Sequence, residues 1–353
     1  MKKFFENIDY MDLFLWLIRA VIIIIVIWGT VSTILDNPYS RRQWTDFVIF
    51  GIAQGSMYAL IAIGYTLVYG VLFMINFAHG EFFMSGIMTT TVFLATPMAE
   101  TGFLNRYPIP SLLILAASSM LVSMGIAVLT ERIAYKPLRK APRLVPLITA
   151  IGASFFWQNF YRGMLGSNVK PFPQIEILAG SVPLLGTEIL KTHIAVILVT
   201  IVMLIGLNFF IKRTKTGKSI RAVAEDKDVA ALMGIDVDRA ISITFATGAA
   251  MAGIAGLLFA IVFRQVHFYM GFIPGIKAFT AAVLGGIGSV PGAAIGGLFL
   301  GMFESIGPSL FLQSLGIPAF NQLKDVIAFV MLVLVLIFRP QGILGEPLAE
   351  KKA

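Results

Sequence analysis

The sequence predicts an all-α, polytopic integral membrane bundle, and three observations carry that prediction. First, 58% of the 353 residues are hydrophobic, only 13% are charged, and the mean hydropathy is +0.86; soluble domains carry about 25% charged residues. Second, the apolar runs are long and continuous. Helices need such runs, whereas membrane barrels show alternating segments of about ten residues. Third, short apolar segments interrupted by glycine occur in two parts of the chain, as in transporters built from internal repeats.

Ten candidate spans follow in order. The first, 13–35, comes after Lys2 and Lys3. It is too long for the apolar core of a signal peptide, and no small-x-small cleavage site ends it. It reads as a retained helix, with Arg19 near one end and able to snorkel. The others are 46–69, 80–97, 111–134, 144–165, 193–211, 240–263, 273–289, 291–310 and 324–338. A span needs about 20 residues. The segments 80–97, 273–289 and 324–338 are short or interrupted, so roughly nine or ten crossings with broken or re-entrant pieces are expected.

Lys and Arg in the short loops set the orientation. Residues 135–143 hold four basic residues and no acid, and 212–239 hold seven basic and five acidic residues. Segment 98–110 holds only Glu100 and Arg106, and 166–192 holds two residues of each sign. The first pair therefore faces the cytoplasm and the second pair the outside, with both termini inside. Arg41 and Arg42 then lie outside, against the rule. The net charge of +8 is the excess expected of cytoplasmic loops. No basic stripe with interleaved aromatics suggests nucleic acid. There is no cysteine, hence no disulfide or thiolate chemistry.

Small residues recur at four-residue spacing: Gly51, Gly55 and Ala59; Gly248, Ala252 and Gly256; Gly292 and Gly296. In lipid such faces let helices approach closely, within the bundle or against a partner. An internal echo joins VLFMINFAHG (71–80) to VLGGIGSVPG (283–292), which share Val, Leu, Ile and Gly in register. It points to Gly285, Gly286 and Gly288 as a second broken segment of a translocation path.

Asn76, His79, Gly80 and Glu81 interrupt an apolar stretch, and polar groups at membrane depth must face protein or water. They fit a discontinuous helix lining the path, a solvated turn at the cytoplasmic surface, or a His/Glu proton relay. Lys277 and Glu304, also in apolar segments, fit a structural ion pair or a pore lining. Trp157, Gln158, Asn159 and Arg162, toward the outer end of their helix, read as interfacial anchors, with contacts for an external partner as the alternative. His79, His193 and His267 are too dispersed for a metal motif, and no catalytic constellation is present. No metal or cofactor is expected, and the chain does not read as an enzyme.

The longest cytoplasmic loop opens with Gly217-Lys218-Ser219, the end of a phosphate-binding loop. The first glycine of that motif would fall on Lys212, and an apolar helix stands where a strand is required. Residues 219–232 read instead as one short amphipathic helix, with Ile220, Val223, Ala224, Ala231 and Leu232 on its apolar side. Gly234 ends it. The helix either lies solvated against the membrane or docks a cytoplasmic subunit.

At these residues the chain resembles a known family. YALIAIGYTLVYGVLFMINFAHGEFFMSG (58–86), RAVAEDKDVAALMGIDVDRAISITFATGAAMAGIAGLLFA (221–260), KAFTAAVLGGIGSVPGAAIGG (277–297) and FRPQGILG (338–345) are similar to the signatures of permeases of branched-chain amino-acid ABC importers. The likeness is to the H-type permease and covers roughly 44–346. It implies a bacterial inner-membrane importer with a second homologous permease, two cytoplasmic ATPase subunits and an extracytoplasmic substrate-binding protein. It also implies that 217–234, within the loop 212–239, is the ATPase-coupling segment, through Arg221, Glu225, Asp226, Ala230, Ala231 and Gly234. The coupling pattern E-A-A-x-x-x-G is matched only loosely: Ala230, Ala231 and Gly234 are present, but the acidic and glycine spacing departs. Residues 1–43 add a helix that typical members lack, and 347–353 form a cytoplasmic tail. A permease for urea or short amides, an ion-coupled transporter using His79, Glu81 or Glu304, and a non-transporting scaffold are the alternatives.

Overall fold

The computed structural model describes residues 10–345 apart from 37, 140, 143, 185, 186, 318 and 340. The terminal lysines and the tail 347–353 lie outside the described residues. Twelve helices carry the architecture: α1 Tyr10–Asp36, α2 Arg41–Leu72, α3 His79–Thr90, α4 Pro108–Thr130, α5 Leu144–Leu165, α6 Lys191–Arg213, α7 Lys215–Glu225, α8 Lys227–Leu232, α9 Val237–Phe263, α10 Phe272–Gly285, α11 Val290–Gly307 and α12 Lys324–Phe338. Helix α3 continues through a π-turn at Thr91–Ala95 to Glu100. Two small ribbons, β1 Lys170–Pro171 with β4 Gln265–Val266 and β2 Ser181–Leu184 with β3 Thr187–Leu190, complete it.

Eight helices among the described residues are long and apolar enough to cross a membrane. Helix α5 spans 22 residues, but Gln158 and Asn159 lower its hydropathy. Helix α10, which covers most of the expected span 273–289, has only 14 residues, about 21 Å at 1.5 Å per residue. It cannot cross alone.

Local chemistry sets the helix ends. Ser40 and Gln43 form a reciprocal capping box at the start of α2. Asp236 caps α9, and Ser289 caps α11 with Pro291 in its first turn. The expected single helix 219–232 is broken. Asp226 leaves helical geometry and its carboxylate accepts from the N–H groups of Asp228 and Val229, so it ends α7 and caps α8.

Helix α2 runs through the centre, wrapped by α6, α9, α10 and α11. Its closest neighbour is α11, and the small-residue face predicted at Gly51, Gly55 and Ala59 is the reason. A side chain on Gly301 would strike the Gly55 backbone, and one on Gly297 would strike Ala59. Without a hydrophobic driving force in lipid, such close packing is what holds helices together. Helix α1 lies outside this core, meeting it where Gly29 packs on the Phe311 backbone and where Arg19 sits 4.4 Å from the Phe338 ring centre.

Contacts sort the loops into two groups, one at each end of the bundle. At one end, 170–171 pairs with 265–266, and Arg42 lies 3.4 Å from Glu188. Arg42 thus shares an end with 166–192. At the other end, Arg139 bonds Glu131 and Asp238, Lys136 lies 2.7 Å from Asp238, and Ser242 donates to Glu131.

Candidate functional site at the broken helices

Two long helices end in the same unusual way. Helix α2 stops at Phe73 in left-handed geometry (φ 53°), and α9 stops at Arg264 likewise (φ 58°). Such a conformation is uncommon for residues other than glycine. After each, a short irregular stretch leads into a helix that starts inside the bundle: α3 at His79 and α10 at Phe272. The helix–break–helix unit occurs twice, as 41–100 and 237–285. The echo of 71–80 with 283–292 therefore pairs segments of unlike geometry.

The two starting points touch. A Cβ on Gly80 would strike the Gly271 carbonyl and lie 3.1 Å from the Gly275 Cα, and a Cβ on Gly271 would strike Gly80. Backbone meets backbone here, and only glycine permits it. The His79 ring fills the crossing of α2 and α9, where a side chain on Gly64 would collide with it and with Gly248. Tyr65 and Phe82 hold the ring edge-on, at 4.8 and 5.7 Å between centroids.

All four predicted path residues in the first break are brought together and buried. The Asn76 carbonyl oxygen accepts from the Tyr135 hydroxyl (2.7 Å) and the Ala78 N–H (3.1 Å), and its amide nitrogen has no partner among the described residues. Glu81 lies in the first turn of α3, where a carboxylate complements the helix dipole. Its Oε1 accepts from Gln158 (2.7 Å) and Ser154 (3.0 Å), while Oε2 has no hydrogen-bond partner among the described residues and faces Gly271. The solvated-turn alternative for this stretch is thereby removed, because Asn76, His79 and Glu81 are each 1% exposed.

The structure corrects the reading of α5. Trp157 and Gln158 are not interfacial anchors. Both are buried, Trp157 donating to Thr130 and Gln158 to Glu81. Asn159 and Arg162 are exposed, with Arg162 beside the Phe268 ring.

Gly285, Gly286 and Gly288 do not join the first group. They form the turn between α10 and α11, with φ of 105° at Gly286 and 99° at Gly288. The C-terminal segment clamps this turn: the N–H groups of Ile343 and Leu344 donate to Leu284 and Gly285, each at 2.9 Å. The residues that face Gly80 from the second half are Gly271 and Gly275. The motif GFIPG (271–275) carries both glycines, yet nothing in the sequence alone shows them meeting Gly80.

Lys277 and Glu304 form the expected ion pair at 2.6 Å. Asp325, Gln54 and Tyr58 complete the cluster and were missed by sequence reasoning. Each is a polar residue inside an apolar span, which was the available signal.

At the loop, Arg221, Glu225, Asp226, Ala231 and Gly234 are exposed and Ala230 is buried. Ile220 and Val223 face the core as expected, but Ala231 and Leu232 do not. The break at Asp226 rotates α8, so Val229, Leu232 and Met233 project outward, Leu232 at 86% exposure. Gly234 (φ 81°) closes α8 by donating to Ala231 while Ile235 donates to Ala230, a Schellman end. Gly217 sits inside α7 against Phe210 and Ile211, so the phosphate-loop lookalike is helical. The Lys227 ammonium lies 5.7 Å from the centre of the Phe73 ring. Partial burial, with Arg139 adding to it, holds its pKa below the usual lysine value. The loop thus touches the residue that ends α2.

Asn76→Leu removes the acceptor that holds Tyr135 and the start of α3. Uptake is expected to fall by roughly five- to tenfold, the scale of one buried hydrogen bond and its orphaned partner, with membrane insertion unchanged. Wild-type uptake rates in vesicles would rule out a role for this anchor. Among the described residues no cluster of His, Asp or Glu is arranged to hold a metal ion.

Residues 47–336 match the family described as branched-chain amino acid transport system / permease component. The high-affinity branched-chain amino acid transport system permease protein BraD of Pseudomonas aeruginosa is 43% identical over 307 residues, covering 86% of this chain and 96% of the relative. The corresponding protein LivH of Escherichia coli K12 is 41% identical over 310 residues, covering 85% and 95%. A probable LivH of Methanocaldococcus jannaschii is 25% identical over 295 residues, covering 83% and 90%. No solved structure matches the chain.

Proposed function

This chain belongs to the permease family of branched-chain amino acid transport systems, and on that premise we propose that it forms the transmembrane path of an ATP-driven importer for branched-chain amino acids. It is a polytopic inner-membrane protein of transport type, and permeases of this kind work with ATPase and substrate-binding partners. The composition proposed is a heterodimer with a second homologous permease, two ATPase subunits on the cytoplasmic side and one binding protein outside.

The observation that carries the mechanism is the contact of two half-helix starts at Gly80, Gly271 and Gly275. Broken helices whose ends meet within the bundle are where transporters place their moving path. Asn76, His79, Gly80 and Glu81 lie at this junction, which is closed in the present structure. Gly285, Gly286 and Gly288 sit at the far end of α10, where the turn and its C-terminal clamp move with that helix.

The coupling surface is α7–α8. Arg221, Glu225 and Asp226 offer charge, and Val229, Leu232 and Met233 offer an apolar edge. Closure of the ATPase pair pushes on α8. Lys227 passes that displacement to Phe73 and the break, and Ala230 ties α8 to the core. In this scheme the added helix α1 braces α12 from outside the family region.

The test is recovery of the tagged chain from detergent-solubilised native membranes. Two ATPases and a second permease are expected to come with it. A chain that arrives alone and transports on an ion gradient without ATP would overturn the reading.

A further inference from the structure

The end of the bundle that carries α7 and α8 also carries a network of four charges. Arg139 follows a short 3-10 turn at Lys136–Leu138, and its two terminal nitrogens reach two different helices. One donates to Glu131 Oε1, on the π-turn that continues α4. The other donates to Asp238 Oδ1, in the first turn of α9. Lys136 adds a second hold on Asp238 at 2.7 Å. Ser242, one turn further along α9, donates to Glu131 Oε2 at 2.7 Å. The end of α4 is thereby stapled to the start of α9.

The two halves of the staple differ in strength. The Glu131 side chain is 0% exposed, and parting a buried ion pair leaves an uncompensated charge, which is strongly destabilising. The Asp238 side chain is 55% exposed, where an ion pair contributes little and water can replace it. The staple therefore opens first at Asp238, and the Ser242–Glu131 bond remains as a pivot. A third cation stands beside it. The Lys227 ammonium of α8 lies 5.7 Å from the centre of the Phe73 ring, and the Arg139 charge acts on it. Only four residues, 233–236, separate α8 from α9. A shift of α8 therefore moves Lys227 relative to Arg139 and pulls on the start of α9 at the same time.

We propose that Arg139 and Lys227 are positioning residues for ATP coupling. Helix α8, pushed by the ATPases, drives Lys227 toward Arg139, the Arg139–Asp238 contact gives way, and α9 turns about Ser242. Like charges brought together weaken the contact that is least buried, because the exposed pair has the least to lose. Helix α9 packs Gly248 against Gly64 and ends at the break before Gly271. Its rotation therefore reaches the junction with Gly80. This rests on the proposed coupling surface and adds a second route into the core beside the one through Phe73.

The chain has no cysteine, so spin labels can be placed at Ile133→Cys and Arg239→Cys, both exposed positions on either side of the staple. The labelled chain is assembled with cysteine-free partner subunits in lipid nanodiscs, and pulsed electron resonance reads the distance. The otherwise unaltered chain should hold one distance without nucleotide and gain a longer one with ATP and vanadate. Asp238→Asn should shift the population toward the longer distance by roughly fivefold without nucleotide, the scale of an exposed ion pair. Asp238→Glu should keep the shorter one. Lys227→Gln should keep its ATPases and lose the nucleotide-induced distance, and adding Asp238→Asn should bring it back. A merely structural contact would not give that rescue. Lys136→Gln, which removes the outer hold on Asp238, should shift the population the same way and decides the matter if Asp238→Asn fails to assemble. A distance that ATP and vanadate leave unchanged overturns the proposal. So does an unshifted Asp238→Asn, loss of the ATPases from Lys227→Gln, or a double variant that stays at the shorter distance. ATP-driven leucine uptake by the unlabelled transporter tests the importer reading separately. Uptake without the distance change sinks only the staple, and the distance change without uptake sinks only the importer reading.

Discussion

Gly80→Val is expected to cut uptake sharply while the chain still inserts in the membrane. The added Cβ would sit on the Gly271 carbonyl and against the Gly275 Cα, so both half-helix starts must separate. Neither obstacle is the tip of a flexible side chain, so neither can swing aside. Overpacking of a filled core costs about 1–3 kcal/mol, and about 1.4 kcal/mol already corresponds to tenfold in a rate or population. A drop of roughly tenfold to a hundredfold is therefore the expected scale. Gly70→Val is the control, because nothing lies within 4 Å of a side chain there. Uptake in proteoliposomes is the measurement, with recovery of assembled complex measured alongside. Equal uptake by the two variants would show that the Gly80–Gly271 contact does not shape the path.

The second large effect is expected at the edge of α8. Replacing Leu232 and Met233 together by aspartate should strip the ATPases from the purified complex and stop ATP-driven uptake. These side chains are 86% and 78% exposed, so the substitution removes nothing from the packed interior. Exposed substitutions normally change stability by less than about 0.5 kcal/mol, whereas losing an apolar anchor of an interface costs about 2 kcal/mol or more. The variant should keep its thermal stability as an isolated chain and lose its partners. Retained ATPases with normal uptake would move the docking surface elsewhere, toward Arg221 and Glu225 on α7.

Much of the candidate site was legible in the residues, for physical reasons that differ from place to place. Asn76, His79 and Glu81 were visible because lipid makes polar side chains costly, so their presence in an apolar run demands a protein partner. Gly51, Gly55 and Ala59 were visible because their spacing places them on one helix face. The break at Asp226 was harder to see. The apolar pattern continues through 219–232, and only the competition of an aspartate for backbone N–H groups ends α7 there. That one turn reverses the exposure of Ala231 and Leu232 and creates the outward edge. Trp157 and Gln158 were misplaced because a tryptophan next to amides resembles an interfacial anchor. Their direction depends on how α5 is rotated against α3 and α4.

That the chain is a helical membrane bundle, where most of its helices begin and end, and which family it resembles can all be read from its residues alone. Those properties follow from local composition: apolar length sets the spans, caps and glycines set the ends, and motifs carry the resemblance. Which polar residues share a neighbourhood is visible only once the helices are packed. Gly80 meets Gly271, not Gly286, and Lys277 shares its charge with Asp325 as well as Glu304. These partners are separated by tens to hundreds of residues. Their meeting is set by the way α2, α9, α10 and α11 pack, and no local pattern encodes that crossing.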